Sequence, residues 1–463
     1  MYSDFPHPGG GVLASDHLSG ITSVSTLRLS LLGLGARLVL MVINVISVIL
    51  LARYLEPQGR GEYFLFQTLV SVLSVVGDCG LSQSVNVFVG RTAERKMLIH
   101  AFVSKAVIIL WIAMGWVGGA VLWFAGEQLL PDFSTRWQWA AFAVLPCMLY
   151  AGFWNSLMIG LGEIPLLNGV QLVIGPVQLV LILVFVVGLS GGVTSAVTIY
   201  VSTMLLQCVL MVMLSNRLGL LGRSQYVEDR LSREMLAFGL RAYPNAIATM
   251  MWMRIPVFML NAFHGSISVG IFSVAQQLAE KALMPIQAAQ DAIYGKISAL
   301  SPREAIAAMN RYIRIVVAGM VAGTLGAMFL APWVVATLFG AAYQRAAYVF
   351  WILLVGVVFV SVAMIISTYV LGQRGRPGLL SLLAGANAGI CLAASYWLIP
   401  LWAEMGAALA LALTQAVGAV VVFGVYSAMS AAPLRETLLL TAEDVAGVLK
   451  QLGTMTWRNS AKT

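Results

Sequence analysis

Long apolar runs dominate the chain, separated by short breaks rich in Arg, Lys, Gly or Pro; Leu38–Leu51 and Val177–Leu189 are almost continuously apolar. Strands of a transmembrane barrel alternate apolar and polar residues over about ten positions, so this pattern predicts helices. A lipid-spanning helix needs about 20 apolar residues. Reading runs against breaks gives twelve spans, at about 29–52, 61–88, 99–125, 137–160, 166–188, 193–215, 238–260, 267–293, 312–338, 346–371, 378–399 and 405–429. The expected fold is an all-α polytopic membrane protein with about 12 transmembrane helices.

Composition narrows the function. The 463 residues are 60% hydrophobic and 10% charged, with a mean hydropathy of +0.89, whereas soluble domains carry about 25% charged residues. Water-soluble enzymes are excluded on that ground. Four isolated cysteines (Cys79, Cys147, Cys208, Cys391) lie within apolar runs and read as packing residues. His7, His17, His100 and His264 are scattered and there is no Walker-type loop, so neither a metal site, a cofactor nor a catalytic constellation is expected.

Charge sets the orientation. Of the 27 Lys and Arg, twenty fall on the side of the two termini, four (Arg53, Arg60, Arg136, Arg345) on the other, and Arg37, Arg254 and Lys281 inside spans. The positive-inside rule then places both termini in the cytosol. The net charge of +8 reflects topology and an anionic inner leaflet, with no basic soluble module for nucleic acid. Residues 1–28, rich in Pro, Gly and Ser, read as a disordered cytosolic tail without a signal peptide. Residues 430–463 form a second tail, with a surface amphipathic helix expected over Leu434–Leu452.

The polar stretch 216–237 reads as a linker between an N-terminal six-helix bundle (29–215) and a C-terminal one (238–429). A shift of 209 brings Gly61-Glu62-Tyr63 onto Gly270-Ile271-Phe272, and a shift of 210 brings Leu161-Gly162 onto Leu371-Gly372. Two similar offsets at equivalent helix ends predict two pseudo-symmetric repeats with a substrate path between them.

Three stretches resemble a known family. Leu51-Ala-Arg-Tyr-Leu-Glu-Pro-Gln-Gly-Arg-Gly-Glu-Tyr63 is similar to the junction between the first two helices of the polysaccharide flippases of the multidrug, oligosaccharidyl-lipid and polysaccharide exporter superfamily, with Glu56 where Gly is usual. Gly270-Ile-Phe-Ser-Val-Ala-Gln-Gln-Leu278 with Pro285 resembles the opening of that family's second half. Leu338-Phe-Gly340 with Tyr343, Leu371-Gly-Gln-Arg-Gly-Arg376, Leu398-Ile-Pro400 and Gly406-Ala-Ala408 follow in the family's order. The resemblance implies a pair of six-helix bundles in the bacterial inner membrane. By alternating access they would carry a lipid-linked oligosaccharide, of the undecaprenyl-pyrophosphate type, for exopolysaccharide or surface polysaccharide. Its expected partners are that substrate, membrane lipids and a polymerase or export machinery. A multidrug antiporter of the same superfamily and a non-transporting scaffold for a polysaccharide synthase are the alternatives.

Charges at lipid depth are costly unless they face a cavity or a partner, so they are the candidate functional residues. Arg37, Arg254, Lys105 and Lys281 are candidate contacts for an anionic headgroup, and Asp78 and Glu280 are candidates for ion coupling or pairing; Asp291 reads as a solvated cap. Lys105 could equally snorkel to the inner headgroups. Pro244 and Pro256 bracket the segment carrying Arg254 and suggest a bend there. Trp137, Trp139, Trp397 and Trp402 read as interface anchors.

Overall fold

The computed structural model describes residues 22–91, 96–129, 133–221, 229–372 and 377–430, together with 437, 441 and 444. Among them there is no strand. The helices are α1 (Thr22–Asp78), α2 (Leu81–Arg91), α3 (Lys96–Leu129), α4 (Thr135–Leu161), α5 (Ile164–Leu181, prolonged by a π-helical turn over Ile182–Gly188) and α6 (Gly192–Arg217). They continue as α7 (Asp229–Ala282), α8 (Met284–Ala299), α9 (Pro302–Phe339), α10 (Gln344–Gly372) and α11 (Pro377–Ser430). Nine stretches among the described residues are long and apolar enough to cross a bilayer. Three of these fold back at non-helical residues, Glu56 in α1, Gly265 in α7 and Ala403 in α11, which gives twelve spanning stretches among the described residues.

The reversal at Ala403 is visible in its neighbours. A Cβ on Gly406 would collide with the Leu398 carbonyl oxygen, although eight residues of continuous helix would hold the two about 12 Å apart. The other two elbows repeat one geometry. Glu56 (φ 55, ψ 175) and Gly265 (φ 76, ψ −177) have the same backbone conformation and are 209 residues apart, the offset that aligns Gly61 with Gly270. A Cβ on Gly61 would strike the Ser266 carbonyl oxygen, and a Cβ on Gly270 would strike that of Pro57. Since Pro57 and Ser266 are also 209 apart, the contact is reciprocal, as a pseudo-two-fold relation requires.

Some boundaries differ from the expectation. Predicted span 61–88 is not one helix: Cys79 (φ 50) and Gly80 (φ 73) end α1, and α2 restarts at Leu81. Gly80 has no room for a Cβ, because the Gly239 carbonyl lies against it. Predicted span 267–293 is likewise broken, at Leu283, where Pro285 opens the next helix and cannot donate to the preceding turn. α7 starts at Asp229, inside the expected linker 216–237, and α1 starts at Thr22, inside the expected tail 1–28. Helical dihedrals persist through Pro244 and Pro256. The Leu434–Leu452 helix lies outside the described residues, apart from Thr437, Thr441 and Asp444.

Burial follows lipid solvation. Trp154, Phe66, Phe153, Phe272 and Tyr343 are enclosed between helices, and a second apolar cluster (Ile297, Ile313, Ile366, Tyr369, Tyr426) joins α8 to α11. Trp116, Trp123, Phe124 and Phe329 stand largely exposed, an arrangement that suits hydrocarbon. Trp139, Trp397 and Trp402 are exposed, whereas Trp137 is buried, with the Arg136 guanidinium 4.6 Å from its ring centre.

Asp444, beyond α11, lies against Arg314 of α9. Asp444 accepts from Arg314 Nε at 2.6 Å and Nη2 at 3.0 Å, lies 3.7 Å from Arg311, and takes further hydrogen bonds from Thr441. The Arg314 hydrogen bonds, more than those of Thr441, hold its carboxyl well below the usual carboxylate range. A depressed carboxylate contributes fully above its ordinary pKa and is lost only as pH falls through the lower folded value. Limited proteolysis of the C-terminus should therefore stay slow from pH 8 to pH 5, a range wholly above the ordinary Asp pKa, and Asp444→Asn should accelerate it throughout.

A side chain in the conformation of Glu56 is strained by about 1–3 kcal/mol relative to Gly. Glu56→Gly should raise the Tm of the purified protein. Gly265→Ala should lower it, although a Cβ there meets open space, because the effect is entirely backbone strain.

Candidate functional site

The α1/α2 segment and α7 meet at both faces of the molecule. At the face carrying the Glu56 and Gly265 elbows, the reciprocal glycine contacts bring two backbones together. Arg53 Nε donates to Leu338 O at 2.7 Å and Nη2 donates to Thr337 O, placing a cation on the terminal carbonyls of α9 where the helix dipole favours one. Tyr343 donates its hydroxyl to Ala52 O at 2.9 Å. At the opposite face Gly80 and Gly239 touch, Ser84 Oγ donates to Met235 O at 2.6 Å, and Tyr243 donates its hydroxyl to Val76 O. Apart from Arg53, these seam contacts are backbone approaches and neutral hydrogen bonds.

Asp78 sits at the break between α1 and α2. Its Oδ1 accepts from the Ser82 backbone at 3.2 Å and from the Ser82 hydroxyl, so it caps α2 and has no ion pair among the described residues. Arg37 falls on α1, and its side chain lies outside the described residues, as does that of Asp291 on α8. Lys105 is exposed on α3 along a stripe with Ile108, Ile109, Ile112 and Trp116. That company is typical of a lipid-facing surface, where a Lys reaches for the headgroups.

Arg254 and Glu280 come together. Nη1 of Arg254 lies 3.6 Å from Glu280 Oε1, which also accepts from Gln276 Nε2 at 3.2 Å. The two arms of α7, joined at Gly265, put these side chains on facing surfaces. A cavity of about 60 Å³ opens beside them, lined by Trp252, Gln276, Glu280, Leu353, Leu411 and Gln415. Buried Arg254 Nε, Gln276 Oε1 and Gln415 Oε1 have no hydrogen-bond partner within the described structure. Lys281 is half-buried, adjacent to Glu280, and has no ion pair among the described residues. Of the predicted cations, Arg254 is engaged with an acid inside the second half and Lys105 is exposed on α3.

Two enclosed groups carry no signal in the sequence pattern. Arg60, assigned to an exterior connection by the charge count, is only 1% exposed, and nothing in the run of glycines around it signals burial. His100 is buried as well, bonded through Nε2 to Tyr150 at 3.1 Å, with Tyr150 3.2 Å from Ser215 Oγ, to which Trp154 Nε1 donates at 3.0 Å. This network ties α3, α4 and α6 together.

Glu280→Ala leaves a partly buried guanidinium without its acid and should lower stability by about 1–2 kcal/mol. The double substitution Arg254→Met with Glu280→Leu should recover most of that loss, read as Tm in detergent.

Among solved structures, the lipid II flippase MurJ in an inward closed conformation matches with a TM-score of 0.69 at 13% identity, covering 88% of this chain and 89% of that one. An inward-facing multidrug resistance MATE family transporter of the MOP superfamily matches with 0.65 at 18% identity, covering 85% and 94%. A MOP superfamily transporter from Pyrococcus furiosus, described as having a binding pocket of reverse polarity, matches with 0.62 at 16% identity, covering 86% and 93%. No curated protein matches the chain significantly. These structures share its fold. Residues 28–301, more than half of the chain, match the model of a family described as polysaccharide biosynthesis protein, and the chain belongs to that family.

Proposed function

We propose that this protein is a flippase that moves a lipid-linked oligosaccharide, carried on an undecaprenyl-pyrophosphate-type lipid, from the cytosolic to the outer leaflet of the bacterial inner membrane by alternating access. It would serve exopolysaccharide or surface polysaccharide assembly. The observation that carries the reading is the seam. Two halves related by a 209-residue offset touch at both faces through close backbone approaches and a few hydrogen bonds, contacts that can part at one face while the other holds. Family membership supports a place in polysaccharide biosynthesis, and the MurJ likeness supports a lipid-linked cargo.

The elbow face is the outer one in this reading, supported by the excess of Lys and Arg in the connections opposite. Arg37 and Lys281 remain candidate headgroup contacts, and Glu280, beside the unpartnered Gln276 and Gln415 oxygens, is the candidate for ion coupling. A multidrug antiporter for organic cations is less well supported, because Asp78 caps a helix and Glu280 faces Arg254. A scaffold would not require a seam that can open at either face.

Deletion of the gene should abolish the surface or secreted polysaccharide and trap lipid-linked oligosaccharide in the inner leaflet, with drug susceptibility unchanged. Unchanged glycan together with altered drug susceptibility would favour the antiporter. In the deletion background, Lys281→Ala should reduce polysaccharide output several-fold if it touches the headgroup, about the loss of one charge-assisted hydrogen bond.

A further inference from the structure

Arg60 is the only buried Lys or Arg among the described residues. Its Nε and Nη2 have no hydrogen-bond partner there, and no described carboxylate lies within ion-pair distance. Its nearest aromatic face is Tyr63, with the ring centre 5.8 Å away, at the outer limit of a useful cation–π contact. The hydroxyl of Tyr343 is bonded to Ala52 O. Glu56, one turn earlier, is exposed at the elbow. Arg60 immediately precedes Gly61, whose backbone presses on Ser266. A buried guanidinium with two unpartnered nitrogens thus sits one residue from the glycine contact that closes the elbow face.

Burial of an unpaired charge is unfavourable, and a fully enclosed Arg cannot snorkel to an interface. Closure of this seam therefore opposes itself. Parting Gly61 from Ser266 and Gly270 from Pro57 would bring the guanidinium to water or to an anion, and an anion that reaches it only in the parted state shifts the equilibrium toward that state.

We propose that Arg60 is an anion-binding residue of the elbow gate, taking a phosphate-class group on its planar fork as the seam opens and coupling that binding to opening. The inference rests on the flippase reading for the source of the anion, the pyrophosphate of the carrier lipid. The anion chemistry itself rests on Arg60 alone.

The test uses the full chain in lipid nanodiscs, with its four cysteines replaced by serine and spin labels at Gln58→Cys and Ile267→Cys across the seam. Undecaprenyl pyrophosphate should increase the long-distance population, uncharged undecaprenol should not, and inorganic pyrophosphate should act only at much higher concentration. Arg60→Gln should raise the half-saturating concentration of the pyrophosphate lipid roughly tenfold or more and shrink the open population seen without ligand, while Arg60→Lys retains part of the response. Arg60→Met should raise the Tm of the ligand-free protein, whereas a merely structural Arg60 would make that variant less stable. If the lipid opens wild type and Arg60→Gln alike, or undecaprenol opens the seam equally well, the assignment of Arg60 is wrong. If inorganic pyrophosphate opens the seam through Arg60 and the lipid does not, the anion site stands and the flippase reading falls.

Discussion

Everything in this molecule turns on the reciprocal approach of two backbones at the elbow face. Gly61 rests on the Ser266 carbonyl and Gly270 on that of Pro57. In a bilayer, helices have no hydrophobic drive to associate with one another, so close backbone packing at small residues carries much of the association. A glycine at each position lets the start of one pass reach the elbow of the other half. Because the relation is reciprocal, the halves meet symmetrically there, and the Arg53 and Tyr343 hydrogen bonds add to that one joint.

The opposite face is built differently. There a break in the α1/α2 pass presents Gly80 to Gly239, with Asp78 consumed in capping the restarted helix. An unbroken helix would carry its own backbone hydrogen bonds through this point. Breaking it frees backbone N–H groups, of which Ser82's donates to the Asp78 carboxylate, and in return the chain gains a short second segment that can lie against α7. The second half repeats the device at Leu283, next to the Arg254–Glu280 pair and its cavity. Each half thus combines a closely packed elbow with an interrupted helix, the kind of construction that lets one face of a seam loosen while the other holds.

Much of the fold was legible in the sequence because lipid imposes a single rule, satisfaction of the backbone within the helix, which long apolar runs report directly. Twelve passes and the 209-residue offset follow from runs and glycines alone. The break at Cys79–Gly80 was not legible, since its cause is a glycine 159 positions away. The site was less legible still. Position along a span placed Arg254 and Glu280 at lipid depth, but their pairing depends on how the two arms of α7 pack. Counting charge assigned Arg60 to an exterior connection, yet the same residue is enclosed, because a net count of cations by side says nothing of which one a tertiary contact covers.

The central claim, that the seam must part at the elbow face for cargo to cross, is tested most directly by fastening it. In proteoliposomes loaded with a lipid-linked oligosaccharide, a reducible crosslink between Gln58→Cys and Ile267→Cys, in protein otherwise free of cysteine, should stop transfer of the glycan to the opposite leaflet, and reduction should restore it. Transfer that continues at the same rate with the crosslink in place would contradict the account.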